Sequence, residues 1–174
     1  EAGVAYVDAG ASATDNVDIT VTVDTSGSVD ANTTGTYTLT YHATDSANNA
    51  ATPVTRTVVV ADTIAPVIIL SGDAVMTLAL GGTFTDPGSS VSDGFESGLT
   101  ATRAGSVNPG ALGTYVLRYN VSDSANNAAT EVIRTVVVED QAGPLITLNG
   151  SATVNHEAGV AYVDAGASAT DNVD

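Results

Sequence analysis

The 174 residues carry 20 Asp and Glu against four Arg and no Lys, a formal net charge of −16, with 43% hydrophobic content and no Cys. Phosphate neutralisation needs clustered cations, so nucleic acid is excluded as a partner and an anionic membrane surface is disfavoured. The absence of Cys removes disulfides, zinc-thiolate sites and thiol nucleophiles, and the absence of Lys removes Schiff-base chemistry and Lys–Asn isopeptide staples. No apolar run reaches the eighteen or so residues that cross a bilayer, and the opening EAGVAYVDAG has no basic region followed by an apolar one.

In chain order, every local signal is β. Ile19, Val21 and Val23 alternate with Thr20 and Thr22, which predicts a strand with one buried face. Tyr37, Leu39, Tyr41 and Ala43 alternate with Thr38, Thr40, His42 and Thr44 in a second, and TRTVVV at 55–60 supplies a third. PVIIL at 66–70 and VMTLAL at 75–80 follow, and then Tyr115, Leu117, Tyr119 and Val121 repeat the inward set of the second strand. Val and Thr dominate, and their β-branched side chains suit a pleated surface. The DSANNA segments at 45–50 and 123–128 read as turns, because Asn48, Asn49, Asn126 and Asn127 tolerate left-handed backbone angles. Short strands with regular turn signals predict an all-β protein, a sandwich of two antiparallel sheets of the immunoglobulin-like kind.

The chain also repeats itself. At an offset of 78 residues, 28 of residues 1–60 are identical to their counterparts in 79–138, and at 156 residues EAGVAYVDAGASATDNVD at 1–18 returns unchanged at 157–174. Alternate copies are more alike than neighbours, which is the signature of a duplicated two-module unit. The expected organisation is tandem modules: 1–61, lacking its first strand or strands; 62–139, complete; and 140–174, the first half of a third.

The strings GVAYVDAG at 3–10 and GGTFTDPG at 81–88, then TDNVD, GTYTLTYHATDSANNAA, RTVVV and a D-x-x-x-P linker, carry a resemblance over essentially the whole chain. Together they resemble the bacterial Ig-like tandem repeat described as the hyalin-repeat-like or DUF5011 class. The resemblance implies long arrays in secreted and surface-anchored bacterial proteins, commonly adhesins, and also accessory modules on secreted enzymes. Two departures, the direct run of TDNVD into Ile19 and DGFES at 93–97, thin out a stretch that otherwise suits a cation. Tyr37 and Tyr115 read either as the tyrosine corner of an immunoglobulin sandwich, tying a hydroxyl to nearby backbone, or as plain core aromatics.

For catalysis the inventory is nearly empty. His42 is replaced by Asn120 and His156 by Leu78 in the neighbouring copies, and no Ser or Asp is placed by the sequence to orient either ring, so no enzyme active site is expected. Calcium is the sharper expectation. Linker acids entering one end of an Ig-like module face the loops at that end, bringing Asp62 towards Asp93, Glu96 and Asp123, and Asp140 towards Asp171 and Asp174. Lone loop carboxylates are otherwise solvated charge. The functional expectation is a non-catalytic spacer in a large extracellular or cell-surface protein, its partners the neighbouring modules, with no membrane insertion and no receptor identifiable. The alternatives are a filament subunit joined by strand complementation, or a glycan- or protein-binding accessory module, against which stand eight aromatics and no Trp.

Overall fold

The computed structural model describes residues 1–173, and among them there are eleven strands and no helix. They are β1 (Val23–Ser26), β2 (Gly35–Ala43), β3 (Val54–Val60), β4 (Val67–Leu70), β5 (Val75–Ala79), β6 (Ser89–Ser92), β7 (Thr102–Ala104), β8 (Gly113–Asn120), β9 (Val132–Glu139), β10 (Leu145–Leu148) and β11 (Ala167–Thr170). The chain is all-β and built as tandem immunoglobulin-like modules on a 78-residue repeat.

Two compact units are distinguished by their internal packing. The first comprises Glu1–Ile69, Ser89–Thr102 and Tyr119–Val132. It holds the antiparallel sheet β1-β2-β3 and the β4-β6 pair. β2 lies against β3 from Gly35↔Val60 to Tyr41↔Val54 and against β1 from Val23↔Ala43 to Ser26↔Thr40. Leu39 and Tyr41 are buried and the interleaved His42 is exposed, as period-2 alternation requires. The second unit comprises Leu70–Gly88, Arg103–Arg118 and the segment from Ile133 onward. It holds the sheet ordered β5-β9-β8-β7 and the antiparallel β10-β11 pair. Leu117, Val136 and Val138 are almost wholly buried.

Two features depart from the sequence reading. The strand expected at 19–23 begins only at Val23: Ile19 is 101% exposed, and Val21 makes a single bridge to Ala13. Asp15 Oδ1 accepts from the amides of Val17 (2.8 Å) and Asp18 (2.9 Å), and this local turn competes with strand pairing. The second departure is β5, which pairs with β9 in parallel, Val75↔Thr135 to Ala79↔Glu139, within a fold expected to be antiparallel. Strands separated by most of a repeat have ample chain for a parallel crossing.

Each repeated motif has a structural task. Tyr37 donates its hydroxyl to the Thr33 carbonyl (2.7 Å) and Tyr115 to that of Ala111 (2.9 Å), which is the tyrosine-corner role. Asn48 (φ 64°) and Asn126 (φ 69°) take the left-handed angle, while Asn49 and Asn127 clasp Asp45 and Asp123. Gly27 and Gly105, both at positive φ, let the chain pass a carbonyl: a Cβ there would lie 2.4 Å from Thr38 O or 2.3 Å from Val116 O. The Asp of the G-x-Y-x-D-x-G string meets the Arg of RTVVV, as Asp8–Arg56 in one copy and Asp86–Arg134 in the next. Arg134 is fully buried and also donates to the carbonyls of Asp73 (3.1 Å), Ser71 (2.5 Å) and Gly88 (3.2 Å). Arg56 also reaches Gly10 O (3.0 Å) and sits over the Tyr41 ring.

Candidate functional site

The segment between β3 and β4 carries the first linker acid, and hydrogen bonds fix it from two sides. Ala2 donates its amide to Ala61 O (2.9 Å), and the Thr63 hydroxyl donates to Glu1 Oε2 (2.6 Å). On the other side Asn127 Nδ2 donates to Asp62 O (3.2 Å). Asp62 is thereby held with only 8% of its surface exposed; its Oδ1 accepts from the Ile64 amide (3.3 Å), and its Oδ2 is buried with no hydrogen-bond donor.

Of the loop acids, Asp93 and Asp123 lie near enough for their charges to act on Asp62. Asp93 Oδ1 accepts from the amides of Phe95 and Glu96, both at 2.8 Å, and its Oδ2 is also buried without a partner. Asp123, 6% exposed, receives the Asn127 amide (2.7 Å) and Nδ2 (2.8 Å). Glu96 turns its carboxylate to the Ser124 amide (2.8 Å), so it braces the 123–128 turn. Burial pushes the Asp62 carboxyl above its usual value, and the charges of Asp123, Asp93 and Glu1 push the same way against the Ile64 hydrogen bond. The Glu96 and Phe95 amides hold Asp93 below its usual value. Glu1 is the member that sequence reasoning missed. It lies 61 positions from Asp62, and although it recurs as Glu157 two copies on, its counterpart in the next copy is Ala79, so no spacing ties it to the linker.

A family model for the bacterial surface protein Ig-like domain matches residues 1–60 and again 68–138. The chain belongs to that family. The crystal structure of the lipoprotein BT2262 from Bacteroides thetaiotaomicron is similar at 26% identity, covering 45% of this chain and 39% of that one, with a TM-score of 0.39. The chain thus spans about two fifths of that protein's length. No curated protein matches the sequence.

At the second linker of this surface Ig-like chain, Asp140 and Asp171 come together. With its nitrogen facing them, the Asn172 amide donates to Asp171 Oδ1 (2.7 Å) and Asp140 Oδ1 (3.2 Å). Asp140 also takes the Ala142 amide and Asp171 that of Val173. Asp174 lies outside the described residues. Among the described residues, no three His, Asp or Glu side chains already converge as a metal-holding group, and no helix is long and apolar enough to cross a membrane. His42 acquires a neighbour that the sequence did not reveal, Ser26 Oγ at 3.2 Å from Nε2, on an exposed sheet face. An exposed pair lacks the desolvated, donor-lined setting in which acyl transfer is stabilised.

Proposed function

We propose that this chain is a non-catalytic stretch of the spacer of a large bacterial surface protein, an adhesin, holding a terminal binding domain away from the cell. The observation that carries the reading is the linker at 61–63, pinned by Ala2 and Glu1 on one side and by Asn127 on the other. A linker hydrogen-bonded on both sides transmits force and resists swivelling, which is what a stalk requires and a flexible tether does not. Duplication of whole modules fits the same role, because added copies change reach and little else. The formal charge of −16 supports it further, keeping neighbouring stalks apart in solution.

The test is solution scattering on this chain and on one lengthened by a further pair of repeats. Each added module extends the maximum dimension by about 30–40 Å, from strands of eight to ten residues at about 3.3 Å per residue plus loops. A dimension that fails to grow in proportion removes the spacer reading. Mass that climbs with concentration would support a filament; a constant monomer mass supports the spacer.

A further inference from the structure

Two carboxylate oxygens in one small region, Asp62 Oδ2 and Asp93 Oδ2, are buried with no hydrogen-bond donor. A buried acceptor without a donor is costly, and one that carries charge is costlier, so such atoms are rare in folded proteins. Here the cost is compounded, because Asp62 also feels the charges of Asp93, Asp123 and Glu1. No side-chain cation answers them from the three Arg whose ion pairs are defined: Arg56 is committed to Asp8, and Arg103 and Arg134 to Asp86. The sequence contains no Lys.

The corresponding loops of the first repeat form a comparison within the same chain. Asp15 receives the Val17 and Asp18 amides as Asp93 receives those of Phe95 and Glu96. Asp45 is clasped by Asn49 as Asp123 is by Asn127, and Asp18 holds Ser46 as Glu96 holds Ser124. Asp15 is exposed, and its oxygens are not among the orphaned ones. Among the described residues, the orphaned side-chain oxygens are those of Asp62 and Asp93.

We propose that Asp62 Oδ2 and Asp93 Oδ2 ligate one hard divalent cation, calcium in size, with Asp123 and Glu1 supplying charge directly or through water. The donors are all oxygen, with no His or Cys, which suits calcium or magnesium rather than zinc. Their irregular placement on two loops and a linker suits calcium, which accepts six to eight oxygens at about 2.3–2.6 Å in flexible geometry, whereas magnesium demands a near-regular octahedron. Two protein oxygens leave the rest of the shell to water, to backbone carbonyls and to the spare lone pairs of Asp123. The cation links a linker residue to two loops, and this holds whether or not the protein serves as a spacer.

The experiment is thermal melting and calorimetric titration of the full chain, first in chelator and then with calcium chloride, on the parent and three variants. The parent's midpoint rises with calcium, with a dissociation constant of about 10⁻⁴–10⁻³ M, the range of extracellular calcium modules. Asp62→Asn and Asp93→Asn each abolish that rise. Asp62→Asn, which removes the repelling charge at constant shape, melts in chelator at or above the parent. Asp15→Asn in the first repeat leaves the calcium response unchanged. A midpoint indifferent to calcium but rising as pH falls towards 5 would show that a shared proton satisfies the pair, and would overturn the proposal. So would a calcium response that survives Asp93→Asn, or an Asp62→Asn protein less stable than the parent in chelator.

Discussion

The loops at 15–18 and 45–50 and those at 93–96 and 123–128 make matching hydrogen bonds, Asp18 standing where the second copy has Glu96, yet their environments differ. Asp45 is half-buried and Asp123 is 6% exposed; Asp15 is exposed and Asp93 half-buried. The paired arginines diverge in the same direction, the Arg56 side chain being 35% exposed and that of Arg134 0%. Local geometry is set by nearby residues and recurs wherever they recur. Burial, and with it the energetic weight of each charge, depends on what packs on top.

The largest expected effect tests that difference at the arginines. Arg134→Ala should cost about 3–5 kcal/mol, because it empties a wholly buried position and leaves the Asp86 carboxylate and three carbonyls each short of a donor. Arg56→Ala should cost clearly less, since water reaches its partners. Denaturant midpoints of the two variants check this, and equal losses would break the contrast. The next effect should be the same in both copies. Gly27→Ala and Gly105→Ala each drive a Cβ into a carbonyl at a positive φ, costing roughly 2–4 kcal/mol by strain and overlap together. Unequal melting shifts would show that the repeats are less alike at backbone level than their hydrogen bonds indicate. Smaller again, Tyr37→Phe and Tyr115→Phe should each lose about 1 kcal/mol for one hydrogen bond to a carbonyl.

The subtlest effect concerns pH, and there the linker acid and the loop acids should diverge in sign. Burial and neighbouring charges raise the Asp62 carboxyl, so its contribution is fully present below the ordinary carboxylate value and is lost as pH rises through the raised one. Asp15, held down chiefly by the amides of Asp18 and Val17, and Asp30, held down by Thr33 and Asn32, contribute above the ordinary value and lose it as pH falls through their lowered ones. In chelator, the gain from Asp62→Asn should therefore be greatest near pH 7 and shrink towards pH 4. A gain that does not vary with pH would show that the Asp62 charge is not what strains the linker.

Much of the fold was readable in the sequence, for identifiable reasons. The alternation around Leu39 and Leu117 has a two-residue period that only a strand with one buried face satisfies, and the Asn-rich turns advertise their own backbone angles. The strand expected at 19–23 failed because Asp15 offers the amides at 17 and 18 a nearer partner than a neighbouring strand does. The expectation that Asp62 faces Asp93 and Asp123 followed from the loops sharing one end of a module. Glu1 did not, because nothing in its spacing relates it to the linker.

By itself the chain's order of residues determined the repeat, the β class, the turn positions and the pairing of each loop acid with its own neighbouring amides, all of them short-range or periodic. It displayed the Asp of G-x-Y-x-D-x-G and the Arg of RTVVV, but the 48 positions from Asp86 to Arg134 close only when the sheets assemble. Tertiary structure alone decided the parallel β5-β9 pairing, the dry setting of Arg134 and the two orphaned oxygens at the linker. Each of these depends on excluding water from a polar group, and exclusion is a property of several distant segments meeting, which no single stretch of sequence encodes.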